Sequence, residues 1–213
     1  LGIIGNIGSG KSTLLDIILR IYDPTKGGVY LDGHNLKEFK INNLRNSIGY
    51  VPQNGFLFSE SIEDNIRFGN PKASFEVIQD YAKKAVVDNN IVKFKEGYKT
   101  LLGERGITLS GGQIQRISIA RALIKDPQIL LLDDCLSSVD TDTEEEILKH
   151  LKTITKNKTT LIVSHRISSL KHADQIIVIE NGKIVQQGQH IDLIEVTGYY
   201  KELYEIQQAN STK

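Results

Sequence analysis

The chemistry most plainly written in the chain lies at Gly5-Asn6-Ile7-Gly8-Ser9-Gly10-Lys11-Ser12, which satisfies G-x-x-x-x-G-K-[ST] at every position. Glycines carry no Cβ, so the backbone can curl until successive N–H groups point inward at anionic oxygens. A helix opening directly after such a turn adds the partial positive charge of its N-terminus. A lysine at the seventh position reaches the outer phosphates of a nucleoside triphosphate, and the next hydroxyl is placed to bind Mg²⁺. Asn6, Gly8, Ser9, Gly10, Lys11, Ser12 and Thr13 are therefore candidates for contact with a triphosphate.

A second constellation supplies carboxylates. Ile129-Leu130-Leu131-Leu132-Asp133 is an apolar run ending in an acid, which predicts a buried strand with a carboxylate at its C-terminal end. In α/β folds that end faces the ligand crevice. Asp133 is thus a candidate Mg²⁺ ligand, through water, and Asp134 beside it can exchange protons. A third is Leu109-Ser110-Gly111-Gly112-Gln113, followed by Ile114, Ile117, Ala120, Leu123 and Ile124 at helical spacing. That spacing predicts a helix with one buried face. Ser110, Gly111 and Gly112 fall at its start, where N–H groups have no intrahelical acceptor, which makes a second anion-binding device. One triphosphate needs only one.

The elements that must hold these residues can be sketched from periodicity. Leu1–Ile4 reads as a buried strand, and a helix begins near Lys11 with Leu14, Leu15, Ile18 and Leu19 on one face. Gly28–Asp32 and Ile48–Pro52 predict further strands. From about Asn54 to Ile124 the pattern is helical, with an S-x-x-D capping signal from Ser61 to Asp64 and a second amphipathic stretch opening at Ser74. Ile129–Leu132 and Thr159–Val163 are strands. A helix starts at Thr141, with Glu144 completing a capping box. Gln175–Ile179 and Lys183–Gln187 flank Asn181-Gly182, a strong hairpin signal. Gly198–Gln208 predicts a closing surface helix. The alternation implies a mostly parallel sheet with helices on both faces and a helical insertion.

Bulk composition narrows the possible functions. The chain has 213 residues, 39% apolar and 24% charged, sufficient for one domain with an inserted subdomain. Its 26 Lys+Arg balance 26 Asp+Glu, so no long-range field attracts nucleic acid or an anionic membrane. Cys135 is the one cysteine, which excludes an internal disulfide and fits a reducing compartment. No apolar run approaches bilayer length, and Asp16 and Arg20 interrupt the best candidate. The start carries no signal-peptide pattern and the sequence no methionine, so it reads as a domain cut from a longer chain.

With these residues in place, the whole sequence resembles the nucleotide-binding domain of an ABC transporter. Leu109-Ser110-Gly111-Gly112-Gln113 stands as that family's signature. Gln53 in Tyr50-Val51-Pro52-Gln53 resembles the Q-loop glutamine, Ser137-Ser138-Val139-Asp140 the D-loop, and His165 in Val163-Ser164-His165-Arg166 the switch histidine. The resemblance implies an α/β fold: a P-loop NTPase core over residues 1–53 and 125–213, with an inserted α-helical subdomain at 54–124, incomplete at the N-terminus. It implies ATP and Mg²⁺ as ligands, with Ser12, Gln53 and Asp133 at the metal. Lys11, Gln53, Asp134 and His165 would be the catalytic set. Ser110, Gly111, Gly112, Gln113 and Asp140 would act in trans, on ATP held by a second nucleotide-binding domain. Transmembrane domains would be further partners, on the cytoplasmic face of a cell membrane.

Two segments resemble exporters in particular: Gly103-Glu104-Arg105-Gly106, similar to the X-loop that touches transmembrane domains, and Asn54–Ser61 at the Q-loop exit. Two features depart from the family. The aromatic that stacks on adenine belongs upstream of Gly5, outside this sequence, which implies weak grip on the base. Asp134 stands where a fully active site carries glutamate, one methylene longer. That pattern is similar to heterodimeric exporters, with a slow site at Asp134 and an intact signature completing the partner's site. It favours a heterodimer over a homodimer. The alternative is a regulatory module that binds ATP as dimer glue without hydrolysing it. A soluble ABC ATPase acting on DNA or ribosomes fits poorly, since the interval after Gln53 is compact and the charge balance neutral.

Overall fold

The computed structural model describes residues 1–103 and 108–211. In chain order, β1 (Gly2–Gly5) leads into α1 (Lys11–Ile18). The hairpin of β2 (Tyr30–Leu31) and β3 (His34–Asn35) and helix α2 (Ile41–Ser47) come before β4 (Ile48–Val51). Helices α3 (Ile62–Arg67), α4 (Phe75–Lys84), α5 (Asp88–Ile91) and α6 (Gly111–Leu123) follow, and then β5 (Ile129–Asp133). The remainder is α7 (Thr141–Ile154), β6 (Thr159–Val163), α8 (Ile167–Leu170), β7 (Ile176–Glu180), β8 (Lys183–Gly188), α9 (His190–Leu193) and α10 (Tyr199–Ser211).

One six-stranded sheet organises these elements in the order β4-β5-β6-β1-β7-β8. The first five strands in that order are parallel, and β8 pairs antiparallel with β7 across the Asn181-Gly182 turn. Both turn residues have positive φ, 50° and 74°, which is what a tight two-residue hairpin turn requires. Strand side chains alternate between faces, and the core divides accordingly. Ile3, Leu131 and Ile177 pack under α1 and α2 with Leu15, Leu19 and Leu44. On the opposite face Leu130 and Leu132 join Ile117 of α6 and Ile147 and Leu151 of α7. Nearer β7, Ile4 and Val178 pack with Leu170 and Tyr200. The helical run between β4 and β5 shares its apolar cluster with the sheet, since Ile62, Ile78 and Leu132 belong to one group.

Several expectations change. Gly28–Asp32 yields only the two-residue β2, in a separate sheet with β3, and α2 has no counterpart in the periodicity reading. Its N-cap, Lys40, makes no side-chain capping bond, so the helix carries no start signal. The cap of α7 is Asp140, whose side chain accepts from Thr143 N–H at 3.0 Å; Glu144 is buried and used elsewhere. Helix α6 is buried on more than one face, including the polar Gln115 and Ser118. Helix α10 does not merely lie on the surface, because Tyr200 is fully buried. Residues 104–106 of the X-loop-like segment lie outside the described residues; Gly103 is within them, at φ 110°. No helix among the described residues is long and apolar enough to cross a membrane.

Candidate functional site

Four neighbouring strands deliver the candidate residues to one edge of the sheet. In the order β4-β5-β6-β1, the C-terminal ends lead to Gln53, to Asp133 and Asp134, to His165, and to the glycine loop that starts at Gly5. Parallel strands share one direction, so these ends converge on the crevice where open α/β sheets take their ligands.

The loop itself is shaped by close approach and by positive φ. A Cβ on Gly5 would lie 2.0 Å from the Ile179 carbonyl oxygen, so only glycine fits beside β7. Gly8 and Gly10, at φ 78° and 102°, adopt the left-handed conformation that a side chain resists. The hairpin turn braces the loop, with Gly182 N–H donating to the Ser9 carbonyl at 3.1 Å. Lys11 is buried, and its ammonium donates to the carbonyls of Gly5 at 2.9 Å and Asn6 at 2.8 Å. Burial pushes its pKa down, while Asp134 and Asp133 pull it back up.

Asp133 is buried, and burial raises its pKa. A hydrogen bond from the Ser12 hydroxyl and the Lys11 charge work against that rise, while Asp134 and Asp16 add to it. Tyr50, half-buried near Asp133 and Asp16, is pushed up to about 12 and stays a neutral phenol. Asp134 takes a left-handed backbone, φ 44°, uncommon for a residue with a side chain. Its N–H donates to Val163 O at 2.8 Å, and its Oδ1 accepts from His165 N–H at 3.3 Å. The acid following β5 and the histidine following β6 are thus linked through backbone. Cys135 beside them is buried, which raises its thiol pKa, so it is a packed side chain rather than a reactive one.

Around His165 lies a network whose pairings gave no signal in the sequence. The Arg166 guanidinium donates to the carbonyls of Val139 and Ser137, each at 2.9 Å, and to Glu144 Oε2 at 2.7 Å. Glu144 also accepts from the hydroxyls of Ser168 and Ser169. Gln53 is exposed, and its carbonyl accepts from Gln115 Nε2 at 2.5 Å, a bond spanning 62 residues from the helix that carries Ser110–Gln113.

Ser110–Gln113 has partners of its own. Ser110 caps α6 in a reciprocal box, accepting from Gln113 N–H at 3.3 Å while its own N–H donates to Gln113 Oε1 at 2.9 Å. Gly112 abuts Ser138, whose carbonyl oxygen would lie 2.8 Å from an added Cβ. No hydrogen bond or ion pair among the described residues joins Ser110–Gln113 to Lys11, Ser12 or Asp133. Asp140 is exposed; Thr143, by its N–H and then its hydroxyl, lowers the carboxyl pKa. Signature and D-loop residues thus touch each other at Gly112 and Ser138, and the D-loop reaches the carboxylates through Ser137, whose hydroxyl donates to the Asp134 carbonyl at 2.8 Å.

The chemistry of the loop suits a triphosphate with a hard cation. The Ser9 hydroxyl is buried without a partner, and the Lys11 ammonium has only neutral carbonyls. Mg²⁺ in such sites uses one or two protein oxygens plus phosphates and water, as Ser12 with Asp133 offers. Among the described residues no cluster of three His, Cys, Asp or Glu makes an all-protein cage.

Comparison with known proteins agrees with this geometry. The model of the ABC transporter family matches residues 1–137. The "Uncharacterized ABC transporter ATP-binding protein YknU" of Bacillus subtilis (strain 168) is 48% identical over 207 residues, covering 97% of this chain and 35% of that protein. A "Putative multidrug export ATP-binding/permease protein" of Staphylococcus aureus (strain NCTC 8325 / PS 47) is 48% identical over 204 residues, covering 96% of this chain and 35% of its own. A solved structure of a bacterial Atm1-family ABC exporter with ATP bound superposes with a TM-score of 0.93 at 39% identity, over 97% of this chain and 36% of that one. The chain thus spans about a third of the length of each of these relatives.

Proposed function

This chain belongs to the ABC transporter family, and we propose that it is the ATP-driven motor of an exporter, working by head-to-tail pairing with a second nucleotide-binding domain. It is an ATP-binding domain of the family and carries the family's ATPase site. Asn6, Gly8, Ser9, Gly10, Lys11, Ser12 and Thr13 hold the triphosphate. Ser12, Asp133 and Gln53 would hold Mg²⁺, which would supply positive charge against the phosphates. Asp134 orients a water and takes its proton as the water oxygen bonds to the γ-phosphorus and the bond to the ADP oxygen breaks. Lys11 offsets the negative charge on the transferring group, and His165 contacts it from the β6 side. Ser110, Gly111, Gly112, Gln113 and Asp140 serve the ATP of the partner domain.

The observation that carries this reading is the convergence of four strand ends on one crevice, with a second anion-binding helix start at Ser110 that shares no hydrogen bond with Lys11 or Ser12 among the described residues. A triphosphate held at the glycine loop and a signature that serves another need two domains to meet. Support for transmembrane partners comes from an exposed aromatic cluster just past Gln53. Phe56 and Phe68 are each more than 60% exposed and flank Phe58, with Arg121 donating to the Phe56 carbonyl at 2.6 Å. Gly103 adjoins Ser59 of the same loop. Contiguous exposed apolar groups of this kind mark docking surfaces, here for the transmembrane domains at the cytoplasmic face of the membrane. Residues 1–53 and 125–213 act as the core, and 54–124 as the unit that carries the signature toward the partner.

Asp134 makes this domain the slow half of a heterodimer, a reading its short side chain favours over two equal copies. The test is ATP hydrolysis by the full-length complex with Lys11→Ala on this chain and, separately, Ser110→Ala. Loss of tight ATP binding in the first and loss of hydrolysis at the partner's site in the second support the pairing. Export at normal rates by this subunit alone would end the heterodimer reading.

A further inference from the structure

On helix α10, Ile206 is 58% exposed, whereas the neighbouring Gln207 is turned inward, the reverse of what burial of apolar area would select. The reason lies in the partners of Gln207. Its Nε2 donates to the His165 carbonyl at 2.7 Å and its Oε1 accepts from Ile167 N–H at 2.9 Å, so one carboxamide closes over the backbone on both sides of Arg166. Tyr200, Leu203, Tyr204 and Gln207 follow the i, i+3, i+4, i+7 rule of a single helix face. The first three pack against the sheet. Gln207 is the polar end of that buried stripe.

The helix is fixed at its other end. Tyr200 is fully buried, its N–H donates to Gln186 Oε1 at 3.2 Å, and its hydroxyl pairs with His190 Nδ1 at 2.9 Å. Two helical turns, about 10.5 Å, separate this anchor from Gln207. The clamped residue is also the one whose N–H reaches Asp134. A continuous hydrogen-bonded path therefore runs from α10 through the His165 backbone to the carboxylate following β5.

We propose that Gln207 is a positioning residue for hydrolysis, holding the His165 backbone, and through it the Asp134 carboxylate, in working register. The inference rests on the reading of His165 and Asp134 as site residues. Arg166 fixes the same loop from the D-loop side, and Gln207 adds a restraint on the opposite side, from the end of the fold farthest along the chain. Displacing α10 would slow turnover without removing any group that touches ATP.

The test uses the full-length transporter complex, read as hydrolysis at this chain's site with the partner's site disabled. Gln207→Glu keeps an acceptor for Ile167 N–H but replaces the donor to His165 with a carboxylate. Gln207→Leu removes both bonds without adding charge. Loss of a net hydrogen bond predicts a fall in kcat of about threefold to tenfold, with KM for ATP within about twofold. In a double-mutant cycle with Asp134→Asn, a residue acting only through the Asp134 carboxylate adds no further loss. Parental kcat in both Gln207 variants, or losses that multiply in the double mutant, would overturn the proposal. If His165→Ala alone hydrolyses at the parental rate, the site reading itself fails and the clamp falls with it. Impaired His165→Ala beside normal Gln207 variants refutes the clamp alone.

Discussion

Asp134→Glu tests the geometry of the hydrolytic site most directly. The carboxylate of Asp134 is buried beside Lys11 and Asp133, and its one amide contact, to His165 N–H at 3.3 Å, is long. Moving it therefore gives up little. Glutamate extends the carboxylate by roughly 1.5 Å, one C–C bond. Since a misplacement of about 1 Å in a reacting group costs on the order of 10²-fold, restoring reach raises turnover at this site by up to that factor. The backbone opposes the change, because φ 44° suits the short polar side chain of aspartate better than that of glutamate. That strain, about 1 kcal/mol, lowers Tm by roughly 2–4 °C in a chain of this size and leaves the rate argument intact. The assay is single-turnover ATP hydrolysis by the full-length complex with the partner's site disabled, Asp134→Glu beside the parent. A parent already turning over well, with no rise in the variant, would refute the argument from reach. It would make Asp134 a competent base and this chain a motor in its own right.

Three further outcomes follow from the same geometry. Asp133→Asn removes a buried carboxylate whose folded pKa is raised, so its charge costs stability at neutral pH. The variant abolishes Mg²⁺-dependent hydrolysis yet melts higher without nucleotide. The sign also fixes the pH trend: a raised carboxylate favours the folded state at low pH and loses that contribution as pH rises. The Tm gap between variant and parent therefore closes as pH falls into the carboxylate range in a thermal-melt series, and a widening gap contradicts it. Arg166→Ala strips Glu144, 1% exposed, of its cation and leaves it the Ser168 and Ser169 hydroxyls; we expect a loss of about 2 kcal/mol by chemical denaturation. A change under about 0.5 kcal/mol would show that the pair is solvated. Ser110→Ala removes the cap of α6 and costs about 1 kcal/mol by the same measurement. It should also weaken ATP-dependent association with the partner domain, read by size-exclusion chromatography, while ATP binding at Lys11 stays at the parental level.

Much of this was legible in the sequence because it is written in local patterns. The glycine loop, the apolar strand ending at Asp133, the cap at Ser110 and the Asn181-Gly182 hairpin each depend on residues within a few positions of one another. Backbone freedom, period-two burial and capping act at that range. The short strand β3 and helix α2 behind an uncapping Lys40 escaped because their local signals are weak, and the strand read at Gly28–Asp32 shrank to the two residues of β2. Glu144 was misread as a cap for the opposite reason: its spacing was right for one, but a half-buried arginine 22 residues onward claimed the carboxylate.

What only the tertiary structure decided is how separate motifs become one site. The sheet order brings β4, β5, β6 and β1 side by side although the chain visits them far apart, and that alone sets Gln53, Asp134, His165 and Lys11 at one edge. The bonds that hold the site are side chain to backbone: Gln115 to Gln53 across 62 residues, and Gln207 to His165 across 42. Backbone carbonyls look alike in every residue, so an acceptor leaves no trace in the sequence, and an isolated glutamine does not announce what it will clamp. The sequence could name candidate groups for the chemistry because their types are special. Which neutral residues keep them in place was decided by packing, which alone determines which distant backbone groups come within 3 Å of a donor.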